Sequence, residues 1–172
     1  MSREHTLSLI GFPGSGKSTV GVLLAKRLGI EFVDTDLLIQ AREDATLAEI
    51  IARTDHHYLR DVEERVLTEM PIHKSVISTG GSVVYSEKIM TRLAAKTTVI
   101  YLRARLATVE YRISLAPDRG IASSKNQTLA DIYDERIPLY EQWARVTVDV
   151  DEDEPERIVG HIISAMDTLT PR

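Results

Sequence analysis

The run Gly11-Phe12-Pro13-Gly14-Ser15-Gly16-Lys17-Ser18 satisfies the spacing G-x4-G-K-[ST] in full. Each position in it suits a polyphosphate. The glycines let the backbone fold so that successive N–H groups point inward at phosphate oxygens. A helix starting near Lys17 would aim the positive end of its dipole at the same place. The Lys17 ammonium can act as a point charge on the β- and γ-phosphates, and the Ser18 hydroxyl is a hard oxygen ligand for Mg²⁺. The nucleotide-binding stretch is therefore expected over Gly14, Ser15, Gly16, Lys17, Ser18 and Thr19. This signal says that a nucleotide is held, not what is done with it.

Five further features could act on a second substrate or on the transferring group. Asp34 and Asp36 lie two apart after the apolar run Ile30–Val33, so both side chains are expected on one side of a strand end. Asp34 could hold Mg²⁺ through water, Asp36 could accept a proton from an attacking hydroxyl, and either could instead cap a helix. Arg60, in Tyr-Leu-Arg-Asp-Val-Glu-Glu, is either a solvated arginine paired along its helix or a guanidinium held by Glu63 and presented to an anion. Gly80-Gly81 would let a ligand approach bare backbone. Arg119, in the polar segment Leu115–Gln127, suits a loop that closes over a transferring phosphoryl group. Arg136 follows in Asp-Glu-Arg-Ile-Pro-Leu-Tyr.

The elements that must position these groups alternate along the chain. Short apolar runs predict strands at Thr6–Ile10, Ile30–Val33, Ser75–Ser78, Thr97–Leu102 and Val146–Val150. Helical periodicity predicts helices over Lys17–Leu28, from near Asp36, from near Thr46, His56–Met70, Ser86–Ala95, Leu106–Ser114, Thr128 to about Tyr140, and from about Pro155. Thr46 and Thr128 each open a capping box, and Pro138 is expected to kink or shorten its helix. Strands alternating with helices give an α/β domain with a mainly parallel sheet, read as one domain over residues 1–172 with a lid at about 115–127.

Composition narrows the field. The 172 residues carry 21 Lys+Arg against 26 Asp+Glu, a net charge of −5, and no basic stripe, so nucleic acid is not an expected partner. The absence of cysteine excludes thiol nucleophiles, Cys-ligated zinc and Fe–S clusters. No run approaches the roughly 18 apolar residues of a membrane span, and a cytoplasmic monomer is expected. Asp149-x-Asp151-x-Asp153 lacks the Gly and Glu of a Ca²⁺ loop, having Glu154 and Gly160 there. It reads as a solvated turn before a helix.

Taken in order, the phosphate loop, Phe-Val-Asp34-Thr-Asp36, Tyr-Leu-Arg60-Asp-Val-Glu63, Ser78-Thr79-Gly80-Gly81 and Arg136-Ile-Pro-Leu-Tyr140 followed by Val148-Asp149 resemble the shikimate kinases over nearly the whole chain. The resemblance implies a three-layer α/β/α P-loop kinase fold with a five-stranded parallel sheet of order 2-3-1-4-5. It implies ATP and Mg²⁺, with transfer to the 3-hydroxyl of shikimate in aromatic amino acid biosynthesis. By the same resemblance Asp36 meets the substrate hydroxyls, Asp34 serves the metal, and Arg60 and Arg136 grip the substrate carboxylate. Gly80 and Gly81 contact substrate, Arg112 packs on adenine, and Arg119 is the lid arginine. Lys17, Asp36 and Arg119 are then the catalytic set.

Four departures from the family pattern stand out. Ser82 ends what is usually a triple glycine, and the lid reads Arg119-Gly-Ile-Ala. A glycine is missing from Glu43-Asp44-Ala45-Thr46, and Asp55-His56-His57 replaces a Gly-Glu pair. By the resemblance these positions lie in the substrate-binding region and the lid, which keeps two alternatives open: a kinase of another hydroxylated acid such as a sugar acid, or a nucleotide-binding protein without turnover.

Overall fold

A computed structural model describes residues 5–116, 121, 124–151 and 154–169. Five strands form one parallel sheet: β1 (Leu7–Ile10), β2 (Glu31–Asp34), β3 (Ser75–Ser78), β4 (Thr98–Arg103) and β5 (Val146–Asp149). Their order is β2-β3-β1-β4-β5, with Leu7 in register with both Val76 and Thr98, Asp34 with Ser78 and Ile100 with Val146. β1 and β3 are buried along their whole length, their serines included, as strands covered on both faces are. β5, at an edge, alternates buried and exposed residues.

Eight α-helices occur among the described residues: α1 (Lys17–Leu28), α2 (Thr35–Glu43), α3 (Leu47–Arg53), α4 (His56–Glu69), α5 (Glu87–Lys96), α6 (Leu106–Ser114), α7 (Leu129–Trp143) and α8 (Pro155–Thr168). The main core surrounds the central strands, with α1 packed on β3 and α8. A second, smaller core of Ile39, Ile50, Leu59, Val62 and Val66 joins α2, α3 and α4. Among the described residues, no helix is long and apolar enough to cross a membrane.

The predicted caps form at Thr46 with Glu49 and at Thr128 with Asp131, each a reciprocal box. Two expectations change. Asp34 and Asp36 do not share a strand end: the Asp34 carboxylate accepts from the Asp36 and Leu37 N–H groups at 2.9 and 3.4 Å, so α2 starts at Thr35 and Asp36 lies in its first turn. Pro138 does not shorten α7, which runs on to Trp143. Arg136 and Tyr140 on either side of it are buried, and tertiary packing of such a face outweighs the local cost of proline. The sequence pattern also carried no sign of the 3₁₀ turn Val83–Tyr85, too short for any periodicity to register.

Candidate active site

All five strands end at the same sheet edge, and β1 has neighbours on both sides there. This is the switch point at which α/β sheets hold ligands. The loop leaving β1 turns into α1 at Gly16, whose φ of 91° is a left-handed conformation that side chains rarely adopt. Lys17 is almost fully buried, and its Nζ donates to the Gly11 and Phe12 carbonyls at 2.7 and 3.1 Å. The Ser15 hydroxyl is buried in the same loop without a hydrogen-bond partner among the described residues.

At the next position after Lys17 the Ser18 hydroxyl donates to Asp34 Oδ2 at 2.7 Å and lies 3.4 Å from the Ser78 hydroxyl. Asp34 thus has two jobs: Oδ1 caps α2 and Oδ2 meets the phosphate loop. A hydroxyl and a carboxylate side by side are hard oxygen donors. They suit Mg²⁺, which takes one or two protein ligands and completes its shell with water and phosphate. Among the described residues no cluster of three or more acidic or histidine side chains could hold a metal.

A cavity of about 610 Å³ opens beside the loop and is lined by Gly14 to Thr19, Asp36, Gly80, Gly81, Arg112 and Arg136. Thr79 ties the glycine pair to β1, donating through N–H and hydroxyl to the Leu9 carbonyl at 3.2 and 2.8 Å. Tyr140 holds the Gly81 carbonyl at 2.5 Å. A Cβ on Gly80 would come within 2.5 Å of Glu63 Oε1 and 2.9 Å of Asp36 Oδ1, so a side chain there would displace one of these two carboxylates from the wall. Arg136, 1% exposed, brings a buried cation to the wall beside Gly81. Arg112 donates to the Gly14 and Val150 carbonyls at 3.2 and 2.9 Å, bridging the phosphate loop to the end of β5.

Arg60 does not line this cavity. It lines an adjoining one of about 220 Å³, together with His57 and Tyr85, and the two cavities share Glu63 and Ser82 as a wall. Nor does Glu63 hold it, as the helical spacing suggested. Glu63 Oε2 instead accepts from the Ser82 hydroxyl at 2.6 Å, and the Arg60 guanidinium stacks 3.8 Å above the Tyr85 ring. Burial lowers the pKa of Arg60, and nearby Arg136 lowers it further. Burial also pushes Glu63 up to about 7, partly offset by the Ser82 hydrogen bond and reinforced by Asp36. Arg119 lies outside the described residues. At the end of β5 Asp149 pairs with Arg103, and Asp151 accepts from the Arg105 N–H at 2.7 Å, while Asp153 lies outside the described residues.

The shikimate kinase family model matches residues 13–167. The chain belongs to the shikimate kinase family. A shikimate kinase of Actinobacillus pleuropneumoniae is 34% identical over 98% of this chain and 99% of its own, and one of Thermodesulfovibrio yellowstonii is 33% identical over 94% and 95%. Among solved structures, shikimate kinase of Acinetobacter baumannii in complex with shikimate superposes with a TM-score of 0.89 at 27% identity, covering 98% of this chain and 97% of that one. The Aquifex aeolicus enzyme superposes at 0.73 with 29% identity over 94% and 95%. Family membership thus accounts for the sheet order and the full phosphate loop. It leaves Ser82, where the family pattern has glycine, to be explained from this chain's own geometry.

Proposed function

We propose that the protein transfers the γ-phosphoryl group of ATP to the 3-hydroxyl of shikimate, giving shikimate 3-phosphate and ADP. The observation that carries this reading is one cavity bounded by a complete phosphate loop, a carboxylate at Asp36 and a buried cation at Arg136, in a member of the shikimate kinase family.

On this reading the loop amides and Lys17 hold the β- and γ-phosphates, and Arg112 flanks the adenine end. Ser18 and Asp34 would hold Mg²⁺, which when bound supplies charge neutralisation to the β- and γ-phosphate oxygens. Arg136 and Arg60, which both lie on the Tyr85 ring, receive the shikimate carboxylate, and Gly80 and Gly81 leave room for the shikimate ring. Asp36 orients the 3-hydroxyl and accepts its proton as the oxygen attacks the γ-phosphorus and the bond to the ADP oxygen breaks. Lys17 balances the negative charge on the transferring group, with Arg119 adding to it as the family pattern implies. Catalysis is then mostly positioning and electrostatics. The reaction belongs in the cytoplasm, where ATP is available, and needs a single copy of the chain.

A coupled ADP-release assay tests the reading. ADP formation that depends on shikimate, with sugar acids and cyclitol acids far poorer, is the expected result. A better acceptor in that panel would move the assignment to another hydroxylated acid, and tight ATP binding without turnover on any acceptor would overturn kinase function.

A further inference from the structure

Two guanidinium groups near one carboxylate site repel each other, so something must hold each in place without consuming the N–H groups the ligand needs. A carboxylate partner would hold an arginine well but would also occupy its fork. Of the two carboxylates whose charge acts on Arg60, Glu63 is turned to the Ser82 hydroxyl and Glu135 accepts from the Tyr85 hydroxyl. Arg60 Nε is buried without a hydrogen-bond partner, and what Arg60 does contact is the face of Tyr85, 3.8 Å from Cζ to the ring centroid. An aromatic face restrains a guanidinium through its quadrupole and leaves the N–H groups unspent.

The same ring meets the second arginine. Arg136 Cζ is 5.3 Å from the Tyr85 centroid, and Arg136 Nε donates to the Tyr85 hydroxyl at 3.3 Å. That hydroxyl in turn donates to Glu135, whose other oxygen accepts from Gln127 at 3.0 Å. Tyr85 is therefore fixed at its hydroxyl end and presents its face to Arg60. It stands three residues beyond Ser82 in a 3₁₀ turn, so the backbone that carries the glycine pair also sets the ring.

We propose that Tyr85 is a positioning residue for acceptor binding, holding Arg60 and Arg136 at a fixed separation so that both can engage one carboxylate. The proposal rests on the reading that this arginine pair receives the carboxylate of shikimate. Ser82 is the complementary part: it keeps Glu63 engaged, so that Arg60 is left to the ring and to the ligand. Chemistry at the phosphoryl group does not involve Tyr85.

The test uses the full chain and steady-state kinetics with both substrates. Tyr85→Leu keeps bulk and removes the aromatic face and hydroxyl; Tyr85→Phe keeps the face alone. Tyr85→Leu should raise the KM for shikimate about tenfold or more, with the KM for ATP within about twofold and kcat changed less than the shikimate KM. Tyr85→Phe should recover most of that loss. On an Arg60→Ala background, Tyr85→Leu should add less than about twofold, because the group it positions is gone. Thermal unfolding of each variant reports folding, and if Tyr85→Leu fails to fold, Tyr85→Met, which also lacks the aromatic face, alone and with Arg60→Ala carries the cycle. An unchanged shikimate KM, or fully additive effects in the cycle, overturns the proposal while leaving shikimate kinase activity intact. Wild-type protein with no shikimate-dependent turnover instead overturns the functional reading, and this inference with it.

Discussion

The Ser82 hydroxyl donates to Glu63 Oε2 across 2.6 Å, and both side chains are buried. Glu63 still titrates near 7, chiefly because of burial, whereas its ordinary value is 4.5. The folded protein therefore binds more protons here than the unfolded chain between those values. The stability tied to neutral Glu63 is complete below about pH 4.5, falls as pH rises toward 7 and is gone above it. Glu63→Gln should remove this loss. Denaturant unfolding from pH 4.5 to 8 should show the variant gaining on wild type by up to roughly 3 kcal/mol.

Ser82→Ala removes the donor. Its cost should depend on pH, which that of a simple packing defect does not. Leaving an ionised buried carboxylate short of a hydrogen bond costs about 1–3 kcal/mol, so the variant should be clearly destabilised above pH 7 and less so below pH 5. A cost independent of pH would show that Ser82 acts through packing alone.

Asp34 combines two roles that substitution can separate. Asp34→Asn keeps an oxygen to cap α2 and removes the charge, so thermal stability should change little while the Mg²⁺ concentration for half-maximal activity rises. Asp34→Ala should lose the cap as well, at a cost of about 1 kcal/mol. Equal Mg²⁺ requirements for Asp34→Asn and wild type would remove Asp34 from the metal site.

Most of the architecture was legible in the chain. The glycine spacing announced the phosphate loop, and Thr46 and Thr128 announced helix starts, because these signals are local and have a fixed period or offset. Asp34 and Asp36 were legible as residue types but not in their placement, since which of them caps α2 depends on where β2 ends. The partners of Arg60 were the least legible feature. The i+3 spacing to Glu63 is a true helical relation, but Glu63 is claimed by Ser82 and Arg60 by Tyr85, contacts that span about twenty residues or more. No window along the sequence brings those segments together. The one local hint was Ser82 itself, a hydroxyl where the family pattern has glycine.

Gly80→Ala tests the shared wall. Its Cβ would meet Glu63 Oε1 at 2.5 Å and Asp36 Oδ1 at 2.9 Å, so one carboxylate must move. We predict a rise in shikimate KM and a fall in kcat with the KM for ATP little changed, read in the same coupled assay. Wild-type kinetics would mean that Asp36 and Glu63 can shift without consequence.

Calorimetric titration of shikimate into wild-type protein and into the Arg60→Ala and Arg136→Lys variants is the most direct test of how the acceptor is held. If the two cations grip its carboxylate, each substitution should weaken binding by about 2 kcal/mol or more, roughly thirtyfold in Kd, with ATP affinity preserved. Shikimate bound equally well by all three proteins would contradict the account.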